Sequence, residues 1–493
     1  MPERENPVRN VLLNGSRLVV STAASIVASA IVVRKLGPEG TGLYAYVLWI
    51  SGVMVAVSHL GLPTSLTKYV SGFLVRDDRD DASRIVRFFL LVQLAGAMLV
   101  AAIGGIIVHS FTGLRGQLFW FALLLVVPQA MQQTLAGALI GAQRYKDLTL
   151  ASVWSGVSQT GLIVVVALFR SSVSNFVLVL LLSNLVQAGI TYRFVRKHLL
   201  QPSGDLNKRA SGFPGALRFA GTIYYLVLLD MVVWQRSELF FLKRYSGLKE
   251  IAFYSIAYLM ASKIGEVVVI MTSTLLPLQV EGIALGGMQR SGDIQKRAMR
   301  SIHLALAPLI GAAMVVARPL VLSLYGTEYQ AVVLLFLLML ISPVAQVFTE
   351  VGVSTAYAGE RERSLVFPLG LMMLLNIGLA SLLVPRFGAL GAVEANCIAQ
   401  AAEAGIVVYI AAMLLPLSIP WEKIGKTYAV AALAFFPLWF FTRSSASLLM
   451  TLGVAICGIA LYLGILRVLS EIGPEDWLVL RDAFLGRLNA SAA

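Results

Sequence analysis

The sequence predicts an all-α, polytopic membrane protein with about 14 transmembrane helices, set as two pseudo-symmetric six-helix lobes plus two C-terminal helices. Three observations predict it. Of 493 residues, 58% are hydrophobic and only 13% charged, a balance no ordinary water-soluble domain carries. Apolar runs close to the ~20 residues that cross a bilayer recur between short charged or Gly/Pro-bearing turns. Basic, proline and tyrosine positions of the first half return in the second at a nearly constant offset of 210–217 residues.

The first apolar run, 11–33, opens the chain with its polar residues on one side. Asn10, Asn14, Arg17, Ser21 and Ser25 are spaced four, three, four and four apart, which places them on one helical face. An arginine at membrane depth costs roughly 2.5–3.5 kcal/mol on insertion scales, so Arg17 is expected to face a polar cavity inside the protein. A cleaved signal peptide ending at Ala28-Ser29-Ala30 is disfavoured, because the apolar run continues past it and many more follow.

The remaining runs follow in order at 43–74, 85–109, 118–140, 148–169 and 173–194, then, after a basic connector at 195–211, at 215–242, 251–285, 302–325, 331–357, 365–384, 389–415, 427–441 and 446–468. Only 427–441 is short for a span. With the N-terminus inside, inner loops and tails hold more than twice as many Lys and Arg as outer loops, so both termini are expected in the cytoplasm. The net charge of +13 follows these loops, which argues for a membrane surface and against nucleic acid.

Arg34 and Arg244 each stand ten residues before a tyrosine, Tyr44 and Tyr254, that opens the next helix; Pro63 and Pro277 are expected to interrupt the helices that follow. Arg87 and Arg300 begin the third helix of each set, and Arg144 and Arg361 precede the fifth. The expected organisation is therefore an N-terminal lobe at 1–200, a C-terminal lobe at 212–415, two added helices at 424–468 and a cytoplasmic tail at 469–493. Six helices per lobe is an even number, so the lobes enter the membrane in the same sense.

Four cations stand inside spans: Arg17, Lys68, Arg236 and Lys263, on helices one, two, seven and eight. These helices hold equivalent places in the two lobes, so the four cations, with Asn14 on the Arg17 face, are expected to line one cavity suited to an anion. Lys263 also has Glu266 at i+3 for a partner, and Lys68 can snorkel to the inner surface. Ser342, Gln346, Thr349 and Glu350 follow one side of the tenth span, and Asn396, Gln400 and Glu403 one side of the twelfth. Glu238, Glu266, Glu350 and Glu403 are candidates for ion coupling or for balancing the cations.

Other strings carry no chemistry. Cys397 and Cys457 lie in apolar runs and imply no disulfide. Asp77-Asp78-Arg79-Asp80-Asp81 lacks the second carboxylate cluster a magnesium-diphosphate site needs and reads as a charge-balanced loop. Gly425-Lys426-Thr427 has Pro420 where a phosphate loop begins with glycine, and Gly37, Gly40 and Gly42 form a turn between membrane helices. The four histidines, His59, His109, His198 and His303, are dispersed, so no metal and no cofactor is expected.

Several segments then resemble one family: RKLGPEGTGLY at 34–44, GAQRYK at 141–146, WQRSELFFL at 234–242, FYSIAYL at 253–259, LYGTEY at 324–329 and VPRFGALGA at 384–392. Over nearly the whole chain the sequence is similar to the polysaccharide transporter family of oligosaccharide-lipid flippases, within the multidrug, oligosaccharidyl-lipid and polysaccharide exporter superfamily. That resemblance implies a 14-helix transporter of the bacterial or archaeal plasma membrane that moves polyprenyl-diphosphate-linked oligosaccharide to the outer leaflet for O-antigen, capsule or exopolysaccharide. It matches Arg17 to the first-helix arginine of such cavities and Arg236 and Glu238 to the charged residues of the seventh helix, and it implies membrane lipids, a polysaccharide polymerase and glycosyltransferases as partners of a monomer.

The residues agree with that implication. A diphosphate and its sugars cannot cross hydrocarbon unaided, while a polyprenyl tail stays in lipid. Lysine and arginine would hold the phosphates, and amide and hydroxyl side chains the sugar, as the two lobes rock in alternating access. A cation-coupled multidrug exporter of the same superfamily is the second reading, but it would favour an acidic cavity. A membrane-embedded glycosyl- or acyltransferase is the third, and the outer loops are too short to build its catalytic site.

Overall fold

The computed structural model describes residues 7–76, 78–112, 116–200, 213–234, 236–272, 275–359, 361–414, 419–443 and 447–469, with side chains from Ser25 onward except at 108, 111, 112, 213, 230, 277, 281, 284–286, 362 and 414. Asn14 and Arg17, both expected at the site, lie outside the described side chains. Among the described residues there is no strand, and thirteen helices are long and apolar enough to cross a membrane. The expected first two runs account for the difference from 14. Two helices meet there within Pro7–Ser58 and count as one, joined at Gly37, whose φ of 66° lies in the left-handed region and is not helical, ahead of Pro38. The run that looked short is a full helix, Trp421–Thr442. Its first turn is polar, with Glu422 and Lys426 paired at 2.7 Å, so hydropathy alone truncates it.

The chain forms two compact units, Met1–Met231 and Val232–Ala493, with the boundary inside the seventh helix. The first unit contains α1 (Pro7–Ser58), α2 (Leu62–Val75), α3 (Arg79–Thr112), α4 (Gly116–Gly141), α5 (Tyr145–Phe169), α6 (Val173–Leu199) and most of α7 (Phe213–Trp234). One core of this unit is built around α2: Leu62, Leu66, Val70 and Phe73 pack on Ile85 and Phe89 of α3, Leu135 and Leu139 of α4, Val195 of α6, and Ala216 and Ala220 of α7.

Small residues let these backbones approach. Gly137 of α4 lies so close to the Pro63 carbonyl that a Cβ there would collide with it. The Thr67 hydroxyl donates to the Gly137 carbonyl at 3.1 Å, and that of Ser65 to Ala216 at 3.0 Å.

The run expected at 43–74 is broken between α1 and α2. Leu60 and Gly61 take φ of 49° and 68°. Pro63 sits in the first turn of α2, where its missing N–H leaves no bond unmade, so the break is made upstream of the proline expected to cause it. A helix end at membrane depth must have its carbonyls satisfied from elsewhere. Here Gln93 Nε2 donates to the Ser58 carbonyl at 2.7 Å, Thr134 donates to Gln93 Oε1 at 3.0 Å, and Tyr224 Oη donates to the Val57 carbonyl at 2.8 Å.

The second unit contains the end of α7, then α8 (Glu238–Tyr245), α9 (Leu248–Thr272), α10 (Leu275–Tyr325), α11 (Gln330–Met339), α12 (Ile341–Ala358), α13 (Val366–Phe387), α14 (Ala389–Leu414), α15 (Trp421–Thr442) and α16 (Leu448–Val468). The last two pack on α10 through Leu304, Val315, Phe435 and Tyr462. Apolar side chains such as Phe169, Phe367, Phe441 and Leu449 stand exposed on the outside of their units, as lipid-facing residues do.

Candidate functional site

The second helix break builds the site. The run expected at 215–242 stops at Trp234 and resumes at Glu238, with Arg236 held at a φ of 62° between them. The carbonyls freed at the end of α7 are again satisfied by side chains: Asn396 Nδ2 of α14 donates to Val233 at 2.9 Å, and the Tyr258 hydroxyl of α9 donates to Trp234. The polar residues of α9 and α14 are therefore tied to the break itself.

Four residues at this break, Trp234, Arg236, Ser237 and Glu238, reach across to other helices. The Trp234 indole N–H donates to both carboxylate oxygens of Glu403, at 3.1 and 3.2 Å. The Arg236 guanidinium stands 5.1 Å from the Tyr258 ring centroid. Ser237 Oγ donates to Asn376 Oδ1 at 2.7 Å. Glu238, at the N-terminus of α8, is fully buried and receives Asn376 Nδ2 at 2.8 Å, Asn396 Nδ2 at 3.1 Å and the Tyr254 hydroxyl at 2.8 Å. Gln400 Nε2 completes the chain by donating to Asn396 Oδ1 at 3.0 Å. Glu238 thus rests on neutral donors and the positive end of a short helix, with no ion pair to a cation among the described residues.

Beside this network lies a cavity of about 170 Å³, lined by Trp234, Tyr258, Ser262, Gly265, Glu266, Ser342, Gln346 and Asn396 among others. Of the expected cations, Lys263 is bound to Glu266 at 2.5 Å, the partner its spacing suggested. Lys68 belongs to the first unit, exposed on α2, with its ammonium 4.1 Å from the Phe219 ring centroid. Glu350 is half-buried and hydrogen-bonded to Gln346. Glu403 is fully buried against Trp234. The structure therefore gathers Arg236, Glu238, Lys263, Glu266, Glu350 and Glu403 into the second unit, around the cavity and the break. Among the described residues no group of His, Cys, Asp and Glu has the make-up of a metal site.

Sequence reasoning passed over Trp234, Tyr254, Tyr258 and Asn376 as site residues. Two signals would have found them. Asn376 is a lone amide in the apolar run 365–384, and the other three fall inside WQRSELFFL and FYSIAYL, the segments whose residues meet here.

A family model described as "Polysaccharide biosynthesis protein" matches residues 8–282, more than half of the chain. The chain belongs to this family. Among solved structures, the fold is similar to that of the lipid II flippase MurJ in an inward closed conformation, with a TM-score of 0.69 and 13% identity over 93% of this chain and 99% of that one. It is similar to an inward-facing multidrug resistance MATE family transporter of the MOP superfamily, with a TM-score of 0.60 and 15% identity over 85% and 99%. A MATE transporter of Vibrio cholerae, VcmN, gives a TM-score of 0.61 and 13% identity over 88% and 98%. Comparison with curated protein sequences returns no match. At these identities the likenesses establish the fold: the family member is a multi-pass membrane protein with the architecture of MOP-superfamily transporters.

Proposed function

We propose that this protein is a flippase that moves a polyprenyl-diphosphate-linked oligosaccharide across the membrane by alternating access, in the building of a cell-surface polysaccharide. The observation that supports it most is Arg236. It stands at a helix break at membrane depth, stacked on Tyr258, and no ion pair joins it to a carboxylate among the described residues. A charge kept there without a carboxylate partner suits a phosphate. In this reading Arg236, Lys68 and Arg17, with Asn14 beside it, face the diphosphate. Glu266 balances Lys263, and the buried Glu238 takes the coupling proton or cation, with Glu350 and Glu403 balancing charge. Membership of a polysaccharide biosynthesis family and a fold shared with a lipid flippase point the same way.

The test is transbilayer movement of a fluorescent polyprenyl-diphosphate sugar in proteoliposomes. Movement by the wild type, reduced at least about tenfold in Arg236→Ala and Lys68→Ala, is expected, the loss of one charge-assisted contact being worth about 1.5–3 kcal/mol. Equal movement by all three, or none above empty liposomes, would remove the reading. A cation-coupled exporter has one observation in its favour, the neutral shell around Glu238. Movement of organic cations but not of the lipid would establish it instead.

A further inference from the structure

We infer that the cavity of the second unit is a subsite for one uncharged sugar ring, separate in chemistry from the cations that face the phosphates. The inference rests on the flippase reading and names what this one site takes. Its walls come first. Trp234 and Tyr258 both line the cavity, yet the polar end of each is committed elsewhere, the indole N–H to Glu403 and the phenol to the Trp234 carbonyl. What they offer a guest is ring surface, that of Trp234 and the side of the Tyr258 ring not covered by Arg236, on which the C–H face of a pyranose lies.

The polar groups come next. The Ser342 hydroxyl is engaged by no hydrogen bond among the described residues. Ser262 donates to the Leu259 carbonyl at 2.9 Å and keeps its acceptor lone pairs, and Gln346, at the cavity, is held by Glu350. Hydroxyl and amide groups with spare valences beside aromatic walls suit an alcohol-rich guest.

Charge decides against the other occupants. Glu266 is the one carboxylate among the lining residues, and Lys263 neutralises it at 2.5 Å. Glu238 and Glu403 do not line the cavity, and their contacts with it run through Asn396 and Trp234. A lining without net charge gives a diphosphate no counter-ion and a cation no ligand shell. Size agrees. A volume of about 170 Å³ leaves room for a single ring but lies below the range of drug-sized pockets.

The full-length protein in detergent would be heated with a series of methyl hexosides and methyl N-acetylhexosaminides as probes. At least one glycoside is expected to raise the melting temperature with a saturable dose dependence, as linkage requires. Gly265→Val puts side-chain atoms into the cavity, where even a Cβ meets Gln346 Oε1, and Ser342→Val removes the free hydroxyl. Each is expected to weaken that dependence about tenfold or more. The inference is overturned if no glycoside gives a saturable shift, if the shift survives unchanged in both variants, or if sodium or potassium chloride alone gives the shift that Gly265→Val removes. Failure of the flippase reading looks different: saturable glycoside binding to a protein that moves no sugar-bearing lipid in liposomes.

Discussion

Replacing Glu238 by leucine would strand donors that now share one buried acceptor. Asn376 and Tyr254 each lose a bond at 2.8 Å, and an unpaired buried polar group costs about 1–3 kcal/mol, so Glu238→Leu is expected to destabilise the second unit by about 2–6 kcal/mol. Glu238→Gln keeps the volume and is expected to cost less, yet it removes the charge. If Glu238 couples transport to an ion, lipid movement by Glu238→Gln no longer responds to an imposed sodium or proton gradient, which liposomes with set internal and external buffers measure. A full response in that variant would exclude Glu238 as the coupling group. Tyr258→Phe isolates the structural role: it frees the Trp234 carbonyl and should lower unfolding stability by about 1–3 kcal/mol while leaving Glu238 and its donors in place.

At the scale of elements, the two described helix breaks follow one rule. Each frees two carbonyls at a helix end within an apolar run, and each recruits side chains from other helices: Gln93 and Tyr224 at the first, Asn396 and Tyr258 at the second. The breaks were only partly legible. Pro63 signalled that the second run is interrupted, but the turn itself is made by Leu60 and Gly61. Nothing in the hydropathy of 215–242 signalled that Arg236 would take a left-handed φ, because apolar periodicity is blind to one residue's backbone.

Gly61 tests how tightly the first break is built. It combines a φ of 68° with direct contact on the Ala220 carbonyl, so Gly61→Ala meets both strain and collision and should cost about 1–3 kcal/mol in a denaturant titration. Gly52 is helical with open space around it, and Gly52→Ala should be neutral or stabilise by up to about 1 kcal/mol. Similar losses for both variants would mean that the close packing at Gly61 is not what holds the break.

For the whole molecule, the charge distribution predicts an orientation that labelling can check. In a background with Cys397 and Cys457 replaced by alanine, Ser171→Cys in the turn after α5 is expected to react with an impermeant maleimide in intact cells. Ser203→Cys in the basic connector should react only after permeabilisation. The opposite pattern would place both termini outside and reverse the direction in which the proposed flippase moves its lipid.

The amino-acid sequence by itself determined that the chain lives in a membrane, roughly where its apolar helices run, and which charged residues fall inside those runs. Those properties depend on local composition and on the cost of leaving polar groups in hydrocarbon, and both are written along the chain. Tertiary structure alone decided which partners meet across helices. The pairing of Lys263 with Glu266 was legible in its i,i+3 spacing, but that Arg236 lies against the Tyr258 ring and that Glu238 gathers Tyr254, Asn376 and Asn396 from three helices was not. Partners separated by well over a hundred residues, such as Glu238 and Asn396, are chosen by packing, and packing leaves no periodic trace in the sequence.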